Sequence, residues 1–360
     1  MRSADRLATL TLELVAVPSE SRDESAILRL IRERMDTAPG LRRADEAADE
    51  LLYLPEGRRD GADLVVLAGH VDTVPLGGAP SPARDGRTVV GRGAADMKGG
   101  LAVMLALAED APPSDLDVGY VFFAREELPI TESALGPLLE RSGVLRSARF
   151  AIVLEPTANT LQLGCVGNLN ATVTVHGRAA HAARPWTGDN AIHRAVAILS
   201  DLADLPVREV SVDGLTFRET ASVTTIAGGT AANVVPDLVT AHVNLRYAPS
   251  TAPEEAEAWL HELVGTGGVV EIVANAPSGR VAVRSPLVER LRAAGDLEVE
   301  PKQAWTPVAE FGVAGVDAVN FGPGDPRYAH TDDERIDADA LRCAHDTLTR
   351  FLTGPTRGDA

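Results

Sequence analysis

The stretch Leu64-Val65-Val66-Leu67-Ala68-Gly69-His70-Val71-Asp72 decides the fold. Five apolar residues in unbroken succession read as a strand covered on both faces, and this one ends in two residues that can titrate or bind a cation. Residues 118–124 (VGYVFFA) repeat the reading and lead to Glu126-Glu127. Residues 150–154 (FAIVL) repeat it again and run into Glu155. Between these strands, residues 99–109 (GGLAVMLALAE) read as a buried helix. Upstream, 3–17 and 24–36 carry apolar residues at helical spacing, the first stopped by Pro18. Buried strands separated by helices predict an α/β layer structure. The polar stretch 42–61 reads as a loop.

Near residue 167 the texture changes. Residues 170–176 (NATVTVH) alternate like a half-exposed strand, and 190–202 read as a helix. Strands at 221–227 and 239–247, a helix at 253–264 and a strand at 269–274 follow. The order β-α-β-β-α-β is the ferredoxin-like arrangement. Helix 285–294, strand 316–321 and helix 337–352 then resume the α/β texture. The economical reading is one α/β domain, 1–166 plus 280–360, with a second domain inserted at 167–279.

At 360 residues the length also favours two domains, since domains average roughly 100–200 residues. The 52 acidic residues outnumber the 34 basic ones, giving a net charge of −18 that argues against nucleic acid or an anionic membrane as partner. Two cysteines, Cys165 and Cys343, exclude a disulfide framework or a thiolate-rich zinc site. No apolar run is long enough to span a bilayer and the start lacks a signal-peptide core, so a cytoplasmic protein is expected. Gly91-Arg92-Gly93 and Gly228-Gly229 do not complete G-x-G-x-x-G, which disfavours a nucleotide fold.

The candidate chemistry lies at strand ends: His70 and Asp72, Glu126 and Glu127, Glu155, and His330, with Asp96 just before the buried helix. Ligands of open α/β sheets bind beyond the carboxyl ends of the strands. Imidazole plus carboxylates without thiolates suits zinc, cobalt or manganese. Each residue alone reads equally well as a turn, a cap or a strand-end hydrogen bond. Their shared placement is what favours a site. A Glu pair after so apolar a strand would also be costly to bury without a cation.

Five segments taken together, Gly69-His70-Val71-Asp72-Thr73-Val74-Pro75, Gly91-Arg92-Gly93-Ala94-Ala95-Asp96-Met97-Lys98-Gly99-Gly100, Glu126-Glu127, Glu155-Pro156-Thr157 and Ala329-His330, resemble the M20 family of dinuclear zinc aminoacylases and carboxypeptidases. The resemblance covers essentially the whole chain. It implies a zinc-exopeptidase-like catalytic domain with a mixed sheet between helices, and makes the insert a lid and dimerisation domain. It implies two Zn2+ per subunit, with Co2+ able to substitute. His70 and Glu127 would bind one ion, Glu155 and His330 the other, and Asp96 would bridge them. Asp72 would orient the His70 imidazole and Glu126 would be the general base. The peptide bond after Asp96 is expected to be cis.

The same resemblance implies a homodimer. His181, in Gly177-Arg178-Ala179-Ala180-His181-Ala182-Ala183-Arg184-Pro185, would reach the partner's site and stabilise the oxyanion. Asn233 and Arg246 match further positions, Arg246 as the grip on a substrate carboxylate, with Thr306 and Gly322 as weaker candidates for the same pocket. Residues 188–193 (GDNAIH) and 320–326 (NFGPGDP) are similar to succinyl-diaminopimelate desuccinylases of the actinobacterial type. That implies removal of succinyl from N-succinyl-L,L-diaminopimelate. The alternative is another small N-acyl amino acid substrate, as in N-acetylornithine deacetylases or carboxypeptidases. Pro307 stands where the desuccinylases often carry Asp, and no Arg stands near Cys165-Val166.

Overall fold

The strand Leu64–His70 is buried at every position, so both faces of its sheet are covered. It lies in a computed structural model that describes residues 3–45 and 47–354. The chain divides into two compact units, one of residues 1–164, 282–301 and 306–360, the other of 165–281 and 302–305.

Among the described residues, the first unit contains an eight-stranded mixed sheet. Its centre is four neighbouring strands, Asp117–Phe123, Leu64–His70, Phe150–Val153 and Asp317–Asn320, all mutually parallel. Their carboxyl ends therefore share one edge. The helices Ser3–Val15, Gly99–Asp110 and Ala338–Thr353 pack against one another. Gly99–Asp110 is buried along nearly its whole length, because it carries apolar residues on every face.

The stretch 42–61 is not the loop its charges suggest. Leu41–Asp45 and Glu50–Pro55 form an antiparallel hairpin, and Glu50–Pro55 pairs with Asp117–Phe123 at the sheet's edge. The four residues Leu51 to Leu54 are buried there, which outweighs the polar flanks. Smaller pieces also escaped the hydrophobic pattern, among them strands Leu161–Leu163 and Val299–Pro301 and the helix Val308–Val313.

The second unit is a five-stranded antiparallel sheet in the order Arg208–Val212, Leu215–Gly228, Leu238–Tyr247, Gly167–His176, Val269–Ala276. Its last four strands have the ferredoxin-like order. In Gly167–His176 and Leu238–Tyr247 buried and half-buried residues alternate. The buried set, including Leu169, Val173, Val243 and Leu245, packs against Ala195 and Leu202 of helix Ala191–Ala203 and Leu260 of helix Pro253–Val264. Asn190 caps the first of these helices by accepting from the backbone N–H groups of Ile192 and His193. The extra strand Arg208–Val212 turns back through Asp213-Gly214, both with positive φ (48° and 85°), in a tight hairpin.

Candidate active site

Four segments from the shared strand edge and one turn build the site, all within the first unit. His70 is the last residue of its strand and Asp72 follows two residues on. Glu126 and Glu127 lie just past Asp117–Phe123, after Arg125 in the left-handed region (φ 64°). Glu155 lies two residues beyond Phe150–Val153. His330 (φ 62°) sits ten residues past Asn320, in a loop. Asp96 lies in the broken turn Ala94–Lys98, whose Asp96–Met97 bond is cis.

These side chains converge. The His70 Nε2 is 3.1 Å from Asp96 Oδ1 and 3.8 Å from Glu155 Oε1. The His330 Nε2 is 3.0 Å from Glu127 Oε1 and 3.4 Å from Asp96 Oδ2. One donor atom each from His70, Asp96 and Glu127 lies within 4.8 Å of the others, a spacing that a single cation can span.

The expected pairing joined Glu127 to His70 and Glu155 to His330. Asp96 stands between the two histidines; Glu155 is 3.8 Å from His70 and Glu127 is 3.0 Å from His330, while Glu127 also offers an oxygen within 4.8 Å of a His70 nitrogen. Asp117–Phe123 and Phe150–Val153 both pair directly with the His70 strand, one on each side, so the Glu126-Glu127 pair and Glu155 flank the imidazole. Glu127 lies farther along its loop, where the long His330 loop comes back to meet it.

Asp72 also does more than orient an imidazole. His70 Nδ1 is nearer the Asp72 backbone carbonyl, at 3.0 Å, than the Asp72 carboxylate, at 3.4 Å. The carboxylate accepts the backbone N–H of Glu126 at 3.0 Å, that of Glu127 at 3.1 Å and the Ser21 hydroxyl at 2.8 Å. Ser21 was invisible to motif reading, because it lies 51 residues away in sequence.

The electrostatics suit cations. Burial alone would push the His70 imidazole down, but hydrogen bonds to Asp72 and Asp96 and the charge of Glu126 hold it well above its ordinary value. Hydrogen bonds to Asp96 and Glu127 push His330 up to about 10. Asp96 is held low: its burial is outweighed by hydrogen bonds to His330 and His70. Glu126 moves the other way, raised well above the usual carboxylate range by burial and then by the charge of Glu155, with Glu127 and Asp96 adding to it. A cluster in which carboxylates force protons onto two imidazoles has the donor set that a pair of divalent cations would satisfy. The residues present therefore fit a two-metal centre.

Gly322 meets the site through its backbone. A Cβ there would lie 2.4 Å from the carbonyl oxygens of both Leu154 and Glu155. Thr306 is buried, and its carbonyl accepts the Ala309 N–H at the start of helix Val308–Val313.

In the second unit, His181 is exposed and pairs in register with Val234, while the Ala182 N–H donates to the Asn233 carbonyl at 2.9 Å. His181 and Asn233 are thus neighbours. Arg246 lies elsewhere, on the half-buried face of Leu238–Tyr247, its Nε donating to Asn244 Oδ1 at 2.9 Å. Asn244 in turn donates to Asn168 and Asn170, at 2.7 and 2.8 Å. This amide ladder was not foreseen, although the alternation of the two strands put all three asparagines on one face.

Residues 163–270 match the family model described as a peptidase dimerisation domain. A Mycobacterium tuberculosis protein provisionally named succinyl-diaminopimelate desuccinylase DapE is 37% identical over 96% of this chain and 97% of its own. The succinyl-diaminopimelate desuccinylase of Corynebacterium glutamicum is 35% identical, over 96% and 95%. Among solved structures, the M20 family metallo-carboxypeptidase Sso-CP2 of Sulfolobus solfataricus has the same fold, with a TM-score of 0.80 at 19% identity over 97% of this chain and 99% of that one. No helix among the described residues is long and apolar enough to cross a membrane. With identity this high sustained over nearly the full length of both relatives, the chain belongs to the M20 family of metallohydrolases.

Proposed function

We propose that this chain is a two-zinc amide hydrolase that cleaves N-succinyl-L,L-diaminopimelate to L,L-diaminopimelate and succinate. The chemistry rests on one observation, the convergence of His70, Asp96, Glu127, Glu155 and His330 around the elevated carboxyl of Glu126. The choice of substrate rests on what the full-length relatives are named.

His70 and Glu155 would hold one zinc ion and His330 and Glu127 the other, with Asp96 shared; cobalt would fit the same donors. Bound there, the ions supply Lewis acidity to the amide carbonyl and lower the pKa of water. Glu126 takes the proton from the attacking water and returns it to the departing amine, a task suited to a carboxyl raised above the ordinary carboxylate range. Asp72 fixes the peptide that carries base and ligand together. Gly322 lets the Leu154–Glu155 backbone approach closely.

In the second unit, Arg246 would pair with a substrate carboxylate, its guanidinium oriented by Asn244. His181 would stabilise the oxyanion from the partner of a homodimer, carried beside Asn233 of the same chain. The match to a dimerisation domain supports that assembly. The acyl substrate is small and soluble, and a cytoplasmic location fits its chemistry.

Amine release by zinc-loaded protein, from N-succinyl-L,L-diaminopimelate and N-acetylornithine side by side, tests the substrate. A preference of about 100-fold for the succinyl compound, about 2.7 kcal/mol in transition-state binding, is expected. Preference for the acetyl compound would reassign the substrate and leave the metal chemistry standing.

A further inference from the structure

Behind the ligand residues lies an ion pair that the proposed chemistry does not use. Arg92 and Glu334 are 6% and 1% exposed, and Arg92 Nη1 donates to Glu334 Oε2 at 2.9 Å. The other oxygen, Glu334 Oε1, accepts the backbone N–H groups of Ala95 and Asp96, both at 3.1 Å. Arg92 spends its other contacts on backbone carbonyls. Its Nη1 also donates to Thr331 at 3.0 Å, Nε to Pro75 at 3.2 Å and Nη2 to Leu76 at 3.4 Å. The pair thus ties together the turn carrying Asp96, the loop carrying His330 and the segment that follows His70 and Asp72.

Burying two charges is a poor way to gain stability, because desolvation offsets most of the attraction. A planar guanidinium with donors in fixed directions does give geometry. Here every one of those directions ends on a segment that delivers a ligand residue. We propose that Arg92 and Glu334 are positioning residues that set the place of Asp96 and the His330 loop, and with it the spacing of the two cation sites. This rests on the two-metal reading of the site. An ordinary structural ion pair would change the stability of the fold and leave metal affinity of the folded protein alone.

The test is zinc affinity of the apo protein, measured by competition with a chromophoric chelator, alongside circular dichroism, kcat and KM. R92M/E334Q removes both charges at once and leaves no lone buried ion. R92K keeps the charge but not the planar fork, and serves if the double variant does not fold. Both folded variants are expected to bind zinc 10–100-fold more weakly, the usual cost of losing groups that orient ligands. With zinc at saturation, kcat should fall while KM changes little. A folded variant that binds two zinc ions with wild-type affinity would overturn the inference alone. Wild-type protein whose zinc binding is absent, or indifferent to loss of His70 and Asp96, would overturn the two-metal reading and this inference with it.

Discussion

The two oxygens of Asp72 divide the tandem glutamates between them: Oδ1 accepts the N–H of Glu126 at 3.0 Å and Oδ2 that of Glu127 at 3.1 Å. One carboxylate therefore sets the height of both the proposed base and a proposed metal ligand. Asp72→Ala should lower kcat by about 10–100-fold, the scale seen when ligand-orienting groups are lost. The loss should exceed that of Ser21→Ala, which removes only the 2.8 Å contact to the same carboxylate. Steady-state kinetics with metal content determined on the same samples would check the ranking.

Glu126→Gln keeps the shape of the side chain and removes its capacity to carry a proton. Metal content should stay at the wild-type value while kcat drops by about 10²–10⁴-fold. A variant that hydrolyses amides at the wild-type rate would dismiss Glu126 as the base.

Chelation should abolish turnover, and zinc or cobalt should restore it. Because the proposed ligands come from segments far apart in the chain, a metal held by them would bind the folded state selectively. The thermal midpoint should therefore fall on chelation, and by more as the wild-type metal is held further above its dissociation constant. Differential scanning calorimetry with and without chelator reads this directly.

Gly322→Ala tests a close approach rather than a side chain. Its Cβ would lie 2.4 Å from the Leu154 and Glu155 carbonyl oxygens, so backbone must move. Overpacking of this kind costs about 1–3 kcal/mol. The displaced strand end carries Glu155, so zinc affinity should fall along with the thermal midpoint.

Glu310 gives a pH prediction away from the metal ligands. Burial pushes its carboxyl up to about 7, against hydrogen bonds from the Ser133 hydroxyl and the Gly136 N–H. The folded state then holds its proton where the unfolded state, at an ordinary carboxyl value near 4.5, has released it. Stability from this group is complete below about pH 4.5 and is lost as pH rises to about 7. Glu310→Gln should therefore raise the unfolding free energy at pH 8, by about 1–3 kcal/mol, and change little at pH 4.5. Equal effects at both pH values would refute the elevated carboxyl.

Much of the fold was legible because burial on two faces writes itself as unbroken apolar runs, as at 64–68, 118–124 and 150–154. The sheet of the second unit was legible because one face is packed and the other is not, as in residues 170–176. The edge hairpin at 41–55 was hidden, since an edge strand needs few apolar residues and Arg42, Arg43 and Asp45 outweighed Leu51 to Leu54 in the reading. The hairpin at Asp213-Gly214 did carry a signal, the dipeptide that favours positive φ at both turn positions. The candidate residues lie at the strand ends that the sequence marked, but which of them stand together depends on how the loops beyond those strands fold back, and that is a non-local property. The Arg92–Glu334 pair was invisible for the same reason, its members lying 242 residues apart.

The strand order has one more consequence. Asp317–Asn320, near the end of the chain, lies between Phe150–Val153 and Leu161–Leu163, filling a gap left by segments synthesised long before. A nascent chain that has emerged as far as residue 300 has His70, Asp96, Glu127 and Glu155 but neither this strand nor His330. The centre of the sheet must stay open until the last sixth of the sequence arrives, a long loop closure that makes folding of this unit slow and late. On the two-cation reading proposed above, acquisition of the second cation would be a timestamp: it would mark the moment at which the segment carrying His330 has slotted into place.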